Sequence, residues 1–281
     1  MPDNTNALII NFAPTGMVPV KNVTPHVPIH ASEIIEQTHE AYELGITIVH
    51  LHARHSDGVP THEVTAYRDI FEGIRKHCPS LVISASLSGR NVQEVEKRTE
   101  VLALKPDMGS LTLSSLNFLK QASLNSPEVI LGLIERMDEH GVHPELECFD
   151  AGMINYSRYL INKKILKPPF YYNLLCGNIA STQADLSYIG LMIRDLPEGA
   201  LWSLAGIGKE QLKTNTIAIA AGGGVRVGIE DNIWFDSQQK VLAKNIDLVS
   251  RIHRIASEFE LEIMKPSDFG NLGFYNEQRP A

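Results

Sequence analysis

Short, almost wholly apolar segments alternate with longer amphipathic segments through most of this chain. Eight of the short segments have the length and the β-branched content of buried strands. They cover residues 7–13, 46–52, 81–87, 107–113, 144–149, 170–175, 201–204 and 225–230. The longer segments repeat apolar residues with the helical period, and the clearest of them cover residues 32–44, 63–77, 127–140, 183–194 and 238–258.

A strand followed by a helix, repeated along a chain, is typical of a parallel sheet covered by helices. Eight repeats predict that this sheet closes into a (β/α)8 barrel, the TIM-barrel architecture, and a chain of 281 residues suits one such barrel. An open, doubly wound sheet is the alternative, but no dinucleotide-binding glycine pattern follows the first strand. We therefore predict an α/β fold with one catalytic barrel domain over residues 1–281. Its tail, residues 265–281, reads as irregular.

Capping residues mark several of the predicted helix ends. Ser32 is expected to cap the first helix and Gly45 to end it. The helix over residues 127–140 begins with Ser126 before a proline and is followed by Gly141.

The composition excludes several classes of function. Hydrophobic residues make up 43% of the chain, the net charge is −8, and no Lys/Arg-rich run occurs, so nucleic acid is not an expected partner. No signal peptide and no stretch of about 18 apolar residues is visible, so no membrane association is expected. The three cysteines are far apart and make no metal or disulfide pattern, which indicates a reducing, cytoplasmic location.

The second predicted strand ends in a pair of histidines, His50 and His52. Alternate residues of a strand share a face, so both imidazoles point to the same side at the end of the strand where barrel enzymes carry out their chemistry. A single histidine here would most simply be a core or surface residue, but two on one face predict a shared metal ion. His55 and His62, further along, are interpreted as exposed bystanders.

The eighth strand places Arg226, Gly228 and Glu230 on one face. A carboxylate inside a barrel is costly unless it is paired or bound to a metal, so Glu230 is the expected third ligand beside the two histidines. An Arg226–Glu230 ion pair is the alternative interpretation. Two histidines and a carboxylate suit zinc and also non-haem Fe(II), and zinc is our preferred prediction. Asp231, at the start of the following loop, is a candidate general base.

Polar residues also end the other strands. Ser84, Ser86 and Ser88 share one face of the third strand, before Gly89, and could hold a carboxylate or carbonyl oxygen. The fourth strand has a hydroxyl-lined end that includes Ser110. Glu145 and Glu147 share a face of the fifth strand, and one of them is expected to pair with Arg226. The tight exit from strand one, at Thr15, would let a ligand approach the backbone. Cys148 is expected to be a packing residue.

Several of these segments together resemble the β-keto acid cleavage enzyme family. The resemblance lies in the Ala-Pro-Thr-Gly of residues 13–16, the His-Leu-His-Ala-Arg of residues 50–54, the segments around Ser110 and Ser115, residues 144–150, and the Arg-Val-Gly-Ile-Glu-Asp-Asn of residues 226–232. They occur in the family's order and span residues 7 to about 270. The histidine and arginine motifs are specific as a pair and not singly.

The resemblance implies a homo-oligomer, usually a tetramer, with one Zn²⁺ per chain. It implies that a β-keto acid reacts with acetyl-CoA to give acetoacetate and a new acyl-CoA. It gives His50, His52 and Glu230 as zinc ligands and Asp231 as the base, with Arg226 and Glu147 beside it. Ser86, Gly89 and Ser110 would contact the keto acid, Ser88 could exchange roles with Ser86, and Thr15 and Arg54 are further expected substrate-binding residues.

One departure from the family concerns the substrate. The family member that acts on an amino-substituted keto acid has an acidic residue soon after the Thr-Gly of strand one, whereas residues 17–20 here are Met-Val-Pro-Val. We therefore expect a neutral or apolar β-keto acid. Two other functions stay open at this point: a metal-dependent lyase or aldolase that does not use CoA, and a non-catalytic metal-containing barrel that binds ligands.

Overall fold

A computed structural model of the protein describes residues 7–280. Eight parallel strands form a closed barrel, and each pairs with its neighbours in chain order. They are β1 (Ile10–Phe12), β2 (Ile48–Leu51), β3 (Val82–Ala85), β4 (Met108–Thr112), β5 (His143–Cys148), β6 (Tyr171–Cys176), β7 (Leu201–Gly206) and β8 (Gly224–Val227). The predicted (β/α)8 fold is confirmed, and the open-sheet alternative is wrong.

Helices follow the strands and cover the outside of the barrel. They are α1 (Ala31–Leu44), α2 (Val64–His77), α3 (Val95–Arg98), α4 (Pro127–His140), α5 (Ala151–Asn162), α6 (Leu186–Asp195), α7 (Gln211–Ala220), α8 (Asn245–Glu258) and α9 (Pro266–Phe269). Leu51, Ile83, Leu111 and Val225 are buried between strands and helices in the larger apolar core. The aliphatic face of each strand therefore packs outward, which leaves the interior of the barrel for polar side chains.

The helix ends agree with the sequence at α4, and at α1 the predicted end at Gly45 is confirmed whereas the predicted cap is not. Ser126 accepts a hydrogen bond from the backbone N–H of Val129, and Gly141 ends α4 in the left-handed conformation. Helix α1 begins one residue before Ser32, so the predicted Ser32 cap is wrong. The Glu33 carboxylate caps this end instead, because it accepts the backbone N–H groups of Ile29 (2.8 Å) and His30 (3.1 Å).

Two predicted helices are shorter in the structure. Helix α6 begins at Leu186 rather than near residue 183, and α8 begins at Asn245 rather than near residue 238. Before α8 the chain turns back on itself, and the Asp236 carboxylate accepts the backbone N–H groups of Lys240 and Val241. A side chain that bonds to nearby backbone in this way competes with the helix.

The C-terminal tail, predicted to be irregular, contains the short helix α9 and closes the N-terminal end of the barrel. Phe269 and Phe274 are fully buried there, stacked with ring centroids 4.3 Å apart, and Phe269 meets the ring of Tyr171 edge to face at 5.4 Å. They form a second, smaller apolar core with Ile48 and Val82. This packing excludes water from the lower barrel.

Cys148 packs in the larger apolar core, as expected from the sequence. Cys78, Cys148 and Cys176 are buried free thiols, and burial raises the pKa of Cys148. Among the helices of residues 7–280, none combines the length and the apolar character that crossing a membrane requires.

We predict that Phe269→Ala lowers the free energy of unfolding by about 3–5 kcal/mol, because it opens a cavity in a closed apolar core. Urea denaturation measures the change. Leu272→Ala, in the same tail but 42% exposed, is the control and should cost less than about 1 kcal/mol. A loss for Phe269→Ala as small as that expected for Leu272→Ala would show that the buried ring does not stabilise the barrel.

Candidate active site

A cavity of about 550 Å³ opens at the C-terminal ends of the barrel strands. This is the end at which barrel enzymes hold their substrates, because the loops that follow the strands converge there. Its floor is polar and charged, with His50, His52, Arg226, Glu230 and Asp231. Its outer wall comes from the loops after strands β1, β3, β4 and β8.

The two histidines are close together on the floor. His50 lies in β2, and His52 follows the end of that strand, so the two rings project to the same side. Their Nε2 atoms are 3.3 Å apart, and both residues are at most 5% exposed. Strand parity therefore predicted correctly that the two rings share a face, and a metal ion held between them stays a prediction.

Glu230 reaches the histidines from a turn and not from a strand. Strand β8 ends at Val227, so the predicted strand over residues 225–230 is too long. Gly228 allows the turn, since a Cβ there would lie 2.0 Å from the carbonyl oxygen of Ala13. Gly16, with φ of 62°, leaves room for Glu230 itself, because a Cβ would come within 2.5 Å of Glu230 Cγ.

His50, His52 and Glu230 have the chemistry and the spacing of a metal site. Their three donor atoms lie within 4.8 Å of one another, with Glu230 Oε1 at 3.2 Å from His52 Nε2 and 3.9 Å from His50 Nε2. The 3.3 Å between the two nitrogens is about the edge length of a tetrahedral zinc site. The other carboxylate oxygen, Glu230 Oε2, is buried without a hydrogen-bond partner among the described residues. The residues fit a divalent ion.

Arg226 is the buried counter-ion of the site's carboxylates. Its guanidinium contacts Glu230 Oε1 at 2.6 Å, Asp231 Oδ2 at 3.0 Å and Glu147 Oε1 at 3.4 Å. The Arg226–Glu230 ion pair considered from the sequence is therefore present together with the possible metal ligands. Glu147 is the strand β5 carboxylate that pairs with Arg226, and the hydroxyl of Thr112 donates to it at 2.7 Å.

Glu145 lies below the histidines and belongs to a different network. Its Oε2 is 2.8 Å from His50 Nδ1 and accepts the Ser84 hydroxyl, while Oε1 accepts the amides of Asn11 (2.6 Å) and Asn173. Burial favours the neutral acid, but the His50 and Arg226 charges and these hydrogen bonds lower the pKa of Glu145 to about 2. The sequence could not assign this role, since the network joins β1, β2, β3, β5 and β6.

The two adjacent carboxylates, Glu230 and Asp231, are in different electrostatic environments. Burial opposes ionisation of Glu230, but the nearby His52 and Arg226 hold its pKa well below the usual value. Burial raises the pKa of Asp231 above its usual value, although the Arg226 charge opposes that rise. Neighbouring carboxylates whose pKa values are pushed apart commonly have different chemical roles.

The expected substrate-contacting residues are divided between the cavity and its supports. Ser86 and Ser88 line the cavity. The Ser110 hydroxyl lies behind the wall and accepts the backbone N–H of Leu87 at 3.0 Å. Gly89, also behind it, accepts a backbone hydrogen bond from Leu124 at 3.3 Å. Substrate contact by these four residues stays a prediction.

Thr15 and Arg54 support the loop after β1. The buried Arg54 guanidinium donates to the carbonyl oxygens of Gly16 (2.9 Å), Pro19 (2.6 Å) and Thr15 (3.3 Å). These bonds present the Met-Val-Pro-Val segment, residues 17–20, to the cavity. The structure places Arg54 so as to hold this loop, and its expected contact with substrate stays a prediction.

Three residues were missed or misjudged from the sequence. His62, expected to be an exposed bystander, is 7% exposed and its Nε2 is 3.0 Å from the carbonyl oxygen of Ser88. Arg90 and Lys120 line the outer cavity, and the sequence gave neither of them a role. Their approach depends on the packing of the loops after β3 and β4, which no local pattern reveals.

Comparison with known proteins agrees with this fold. A sequence model of the beta-keto acid cleavage enzyme (BKACE) family matches residues 7–271. The 3-keto-5-aminohexanoate cleavage enzyme of Fusobacterium nucleatum is 34% identical, over 93% of this chain and 95% of its own length. The 3-oxoadipate:acetyl-CoA acetyltransferase of Cupriavidus necator is also 34% identical, over 91% of this chain and 90% of its own length.

Among solved structures, apo ObcA superposes with a TM-score of 0.78 at 17% sequence identity. The match covers 90% of this chain and 66% of ObcA, and it supports the barrel fold. The family match and the curated relatives carry the assignment further, because they extend over almost the whole chain. They share with it the reaction class of an enzyme that cleaves β-keto acids by acyl transfer. This chain belongs to the beta-keto acid cleavage enzyme family.

Proposed function

We propose that this protein is a zinc-dependent enzyme that exchanges acyl groups between a β-keto acid and acetyl-CoA. The observation that carries the proposal is the His50, His52 and Glu230 cluster beside Asp231 in one cavity. In the reaction, C2 of the keto acid bonds to the acetyl carbonyl carbon, and the original C2–C3 bond breaks. The CoA sulfur passes from the acetyl group to the released acyl group, so the products are acetoacetate and a new acyl-CoA.

Asp231 is the proposed base. The hydrogens on C2 of a β-keto acid lie between two carbonyl groups, so removing one leaves a delocalised enolate. Arg226 holds the Asp231 carboxylate at 3.0 Å and fixes its direction within the cavity. Glu147 contacts another nitrogen of the same guanidinium, Nη1 of Arg226, at 3.4 Å. We therefore propose that Glu147 positions Arg226.

His50, His52 and Glu230 would hold the zinc ion. When bound there, the ion supplies Lewis acidity that stabilises negative charge on the keto oxygen. Glu145 fixes the His50 ring with Nδ1 toward the carboxylate and Nε2 toward Glu230, the orientation that a metal ligand needs. We propose that Ser86 contacts the keto acid at the cavity wall. Ser110 and Gly89 are proposed as further contacts of the same acid.

The substituent of the keto acid distinguishes the named substrates of the relatives. The substrates 3-keto-5-aminohexanoate and 3-oxoadipate share the β-keto acid and differ in their other groups. We propose that the cavity floor of this chain recognises the shared part. Residues 17–20 of the outer wall contain no carboxylate, so a substrate ammonium group would lack a partner on that loop. The homotetramer implied by the sequence resemblance stays a prediction, and light scattering would measure the mass of the assembly.

We predict that purified wild-type protein contains about one zinc ion per chain, and that His50→Ala loses both the metal and acetoacetate formation. Elemental analysis and release of acetoacetate from acetyl-CoA and 3-oxo acids measure the two effects. His55→Ala is the control, since His55 is exposed in the adjoining loop and should keep both. Metal without acetoacetate in the wild type would favour a lyase that does not use CoA.

We predict that Asp231→Asn lowers kcat by about 10²- to 10⁴-fold, because the amide cannot accept the C2 proton. Steady-state kinetics measures this, and metal content should stay at the wild-type level. Asp247→Asn, an exposed change on α8, should retain full turnover. If Asp231→Asn turned over within a few-fold of the wild type, another group would have to be the base.

The two glutamates of β5 provide a matched test of their separate roles. We predict that Glu145→Gln weakens zinc binding about 10- to 100-fold. Both carboxylate oxygens of Glu145 accept hydrogen bonds, from His50, Ser84 and two asparagines, whereas a glutamine side chain has only one accepting oxygen. Glu147→Gln should leave zinc affinity nearly unchanged and lower kcat. Chelator competition measures the affinities, and equal effects on zinc would contradict the division.

A further inference from the structure

Among the described residues, Arg90 differs from the other arginines near the barrel mouth in having no polar protein partner. Arg54 and Arg98 donate to backbone carbonyls, and Arg226 contacts three carboxylates. Within residues 7–280, no carboxylate oxygen lies within 4.0 Å of the Arg90 guanidinium, and no protein atom accepts a hydrogen bond from it. Arg90 is only partly exposed, and it lines the cavity beside the proposed reaction site.

The position of the Arg90 side chain is fixed by an aromatic ring. Its guanidinium carbon lies 3.3 Å from the ring centroid of Phe118, which in turn meets Phe149 edge to face at 5.6 Å. Stacking occupies one face of the planar guanidinium and leaves the N–H groups at its edge free. A planar, pre-oriented edge of this kind is suited to a bidentate bond with a carboxylate.

The charges in the cavity favour an anionic ligand. With a divalent ion bound, the carboxylates of Glu147, Glu230 and Asp231 are balanced by the ion and Arg226. Arg90 and Lys120 then remain as two further cations on the wall. Burial lowers the pKa of Arg90 despite the nearby Glu230 and Glu147, but an arginine stays charged near neutral pH. A ligand carboxylate that reaches this part of the wall would therefore meet a cation.

We propose that Arg90, with Lys120 nearby, forms a binding site for a second carboxylate, so that the preferred substrate is a β-keto diacid. The inference rests on the proposed acyl exchange and adds the substrate class. The guanidinium edge binds the carboxylate at the end of the acid remote from the reacting carbons. A β-keto diacid differs from the neutral or apolar substrate expected from residues 17–20. The experiment described next decides between these two substrate classes.

The test compares 3-oxohexanoate with 3-oxoadipate (3-oxohexanedioate). The two differ only at the end of the chain, where the diacid has a carboxylate in place of a methyl group. Wild-type enzyme should show the higher kcat/KM for the diacid. Arg90→Gln should lower kcat/KM for the diacid by about 10- to 100-fold, mainly through KM, because it removes a charge-assisted hydrogen-bonded pair. The monoacid should lose much less, and Arg90→Lys should recover part of the preference for the diacid.

Two variants separate this effect from a general loss of charge. Lys120→Gln should lower the preference for the diacid less than Arg90→Gln does. Lys120 is exposed, and its hydrated ammonium group on a flexible side chain binds a carboxylate less specifically than a guanidinium. Arg158→Gln, on the exposed side of α5 outside the barrel, should change neither substrate. Equal loss for monoacid and diacid in Arg90→Gln overturns the proposal, since Arg90 would then act on the shared carboxylate or on folding.

A binding measurement keeps the proposal separate from the proposed reaction. Calorimetric titration of the metal-loaded protein with hexanedioate and hexanoate should show tighter binding of the dianion, and Arg90→Gln should abolish the difference. If the wild type turned over neither keto acid, the proposed function would fail while this result still decided the role of Arg90. Equal binding of the two probes, or a rise confined to the KM for acetyl-CoA, overturns the proposal.

Discussion

The ion cluster around Arg226 is the interaction on which the site depends. One buried guanidinium contacts the carboxylates of Glu147, Glu230 and Asp231, which come from β5 and from the turn after β8. Three carboxylates could not lie so close together inside a barrel without a counter-charge, because their repulsion and their desolvation would both oppose folding. Arg226 therefore allows a metal ligand and a candidate base to be neighbours in sequence and in space.

Below this cluster the barrel interior is polar, and only its N-terminal end is apolar. Glu145 links β5 to Asn11, Ser84 and Asn173 of three other strands and to His50 of β2. A network with this many buried hydrogen bonds is rigid, since moving any member breaks a bond that water cannot replace. The aromatic residues of the C-terminal tail seal the barrel beneath it. The histidines consequently rest on a support that is fixed by several strands.

The outer cavity is built differently from its floor. Its walls are loops, and their positions depend on arginines that bond to carbonyl oxygens, as Arg54 does after β1 and Arg98 does after β3. The floor can therefore keep the shared β-keto acid chemistry while the loops change the part of the substrate they meet. Arg90, whose guanidinium has no polar partner among residues 7–280, belongs to this outer part.

The sequence by itself determined the eight-fold alternation of strands and helices. A strand buried on both faces is a short apolar run, and a helix buried on one face repeats apolar residues with the helical period, so both can be read locally. It also identified His50, His52, Glu230, Asp231 and Arg226, since these lie within two short motifs at strand ends. It misplaced the α1 cap and extended β8 too far, because side-chain capping by Glu33 and the close approach of Gly228 to Ala13 depend on contacts between distant segments. Only the tertiary structure decided that Glu145 supports His50 and that Arg90 faces the cavity. Each of these depends on side chains from separate strands or loops meeting in space, and no period along the chain records such a meeting.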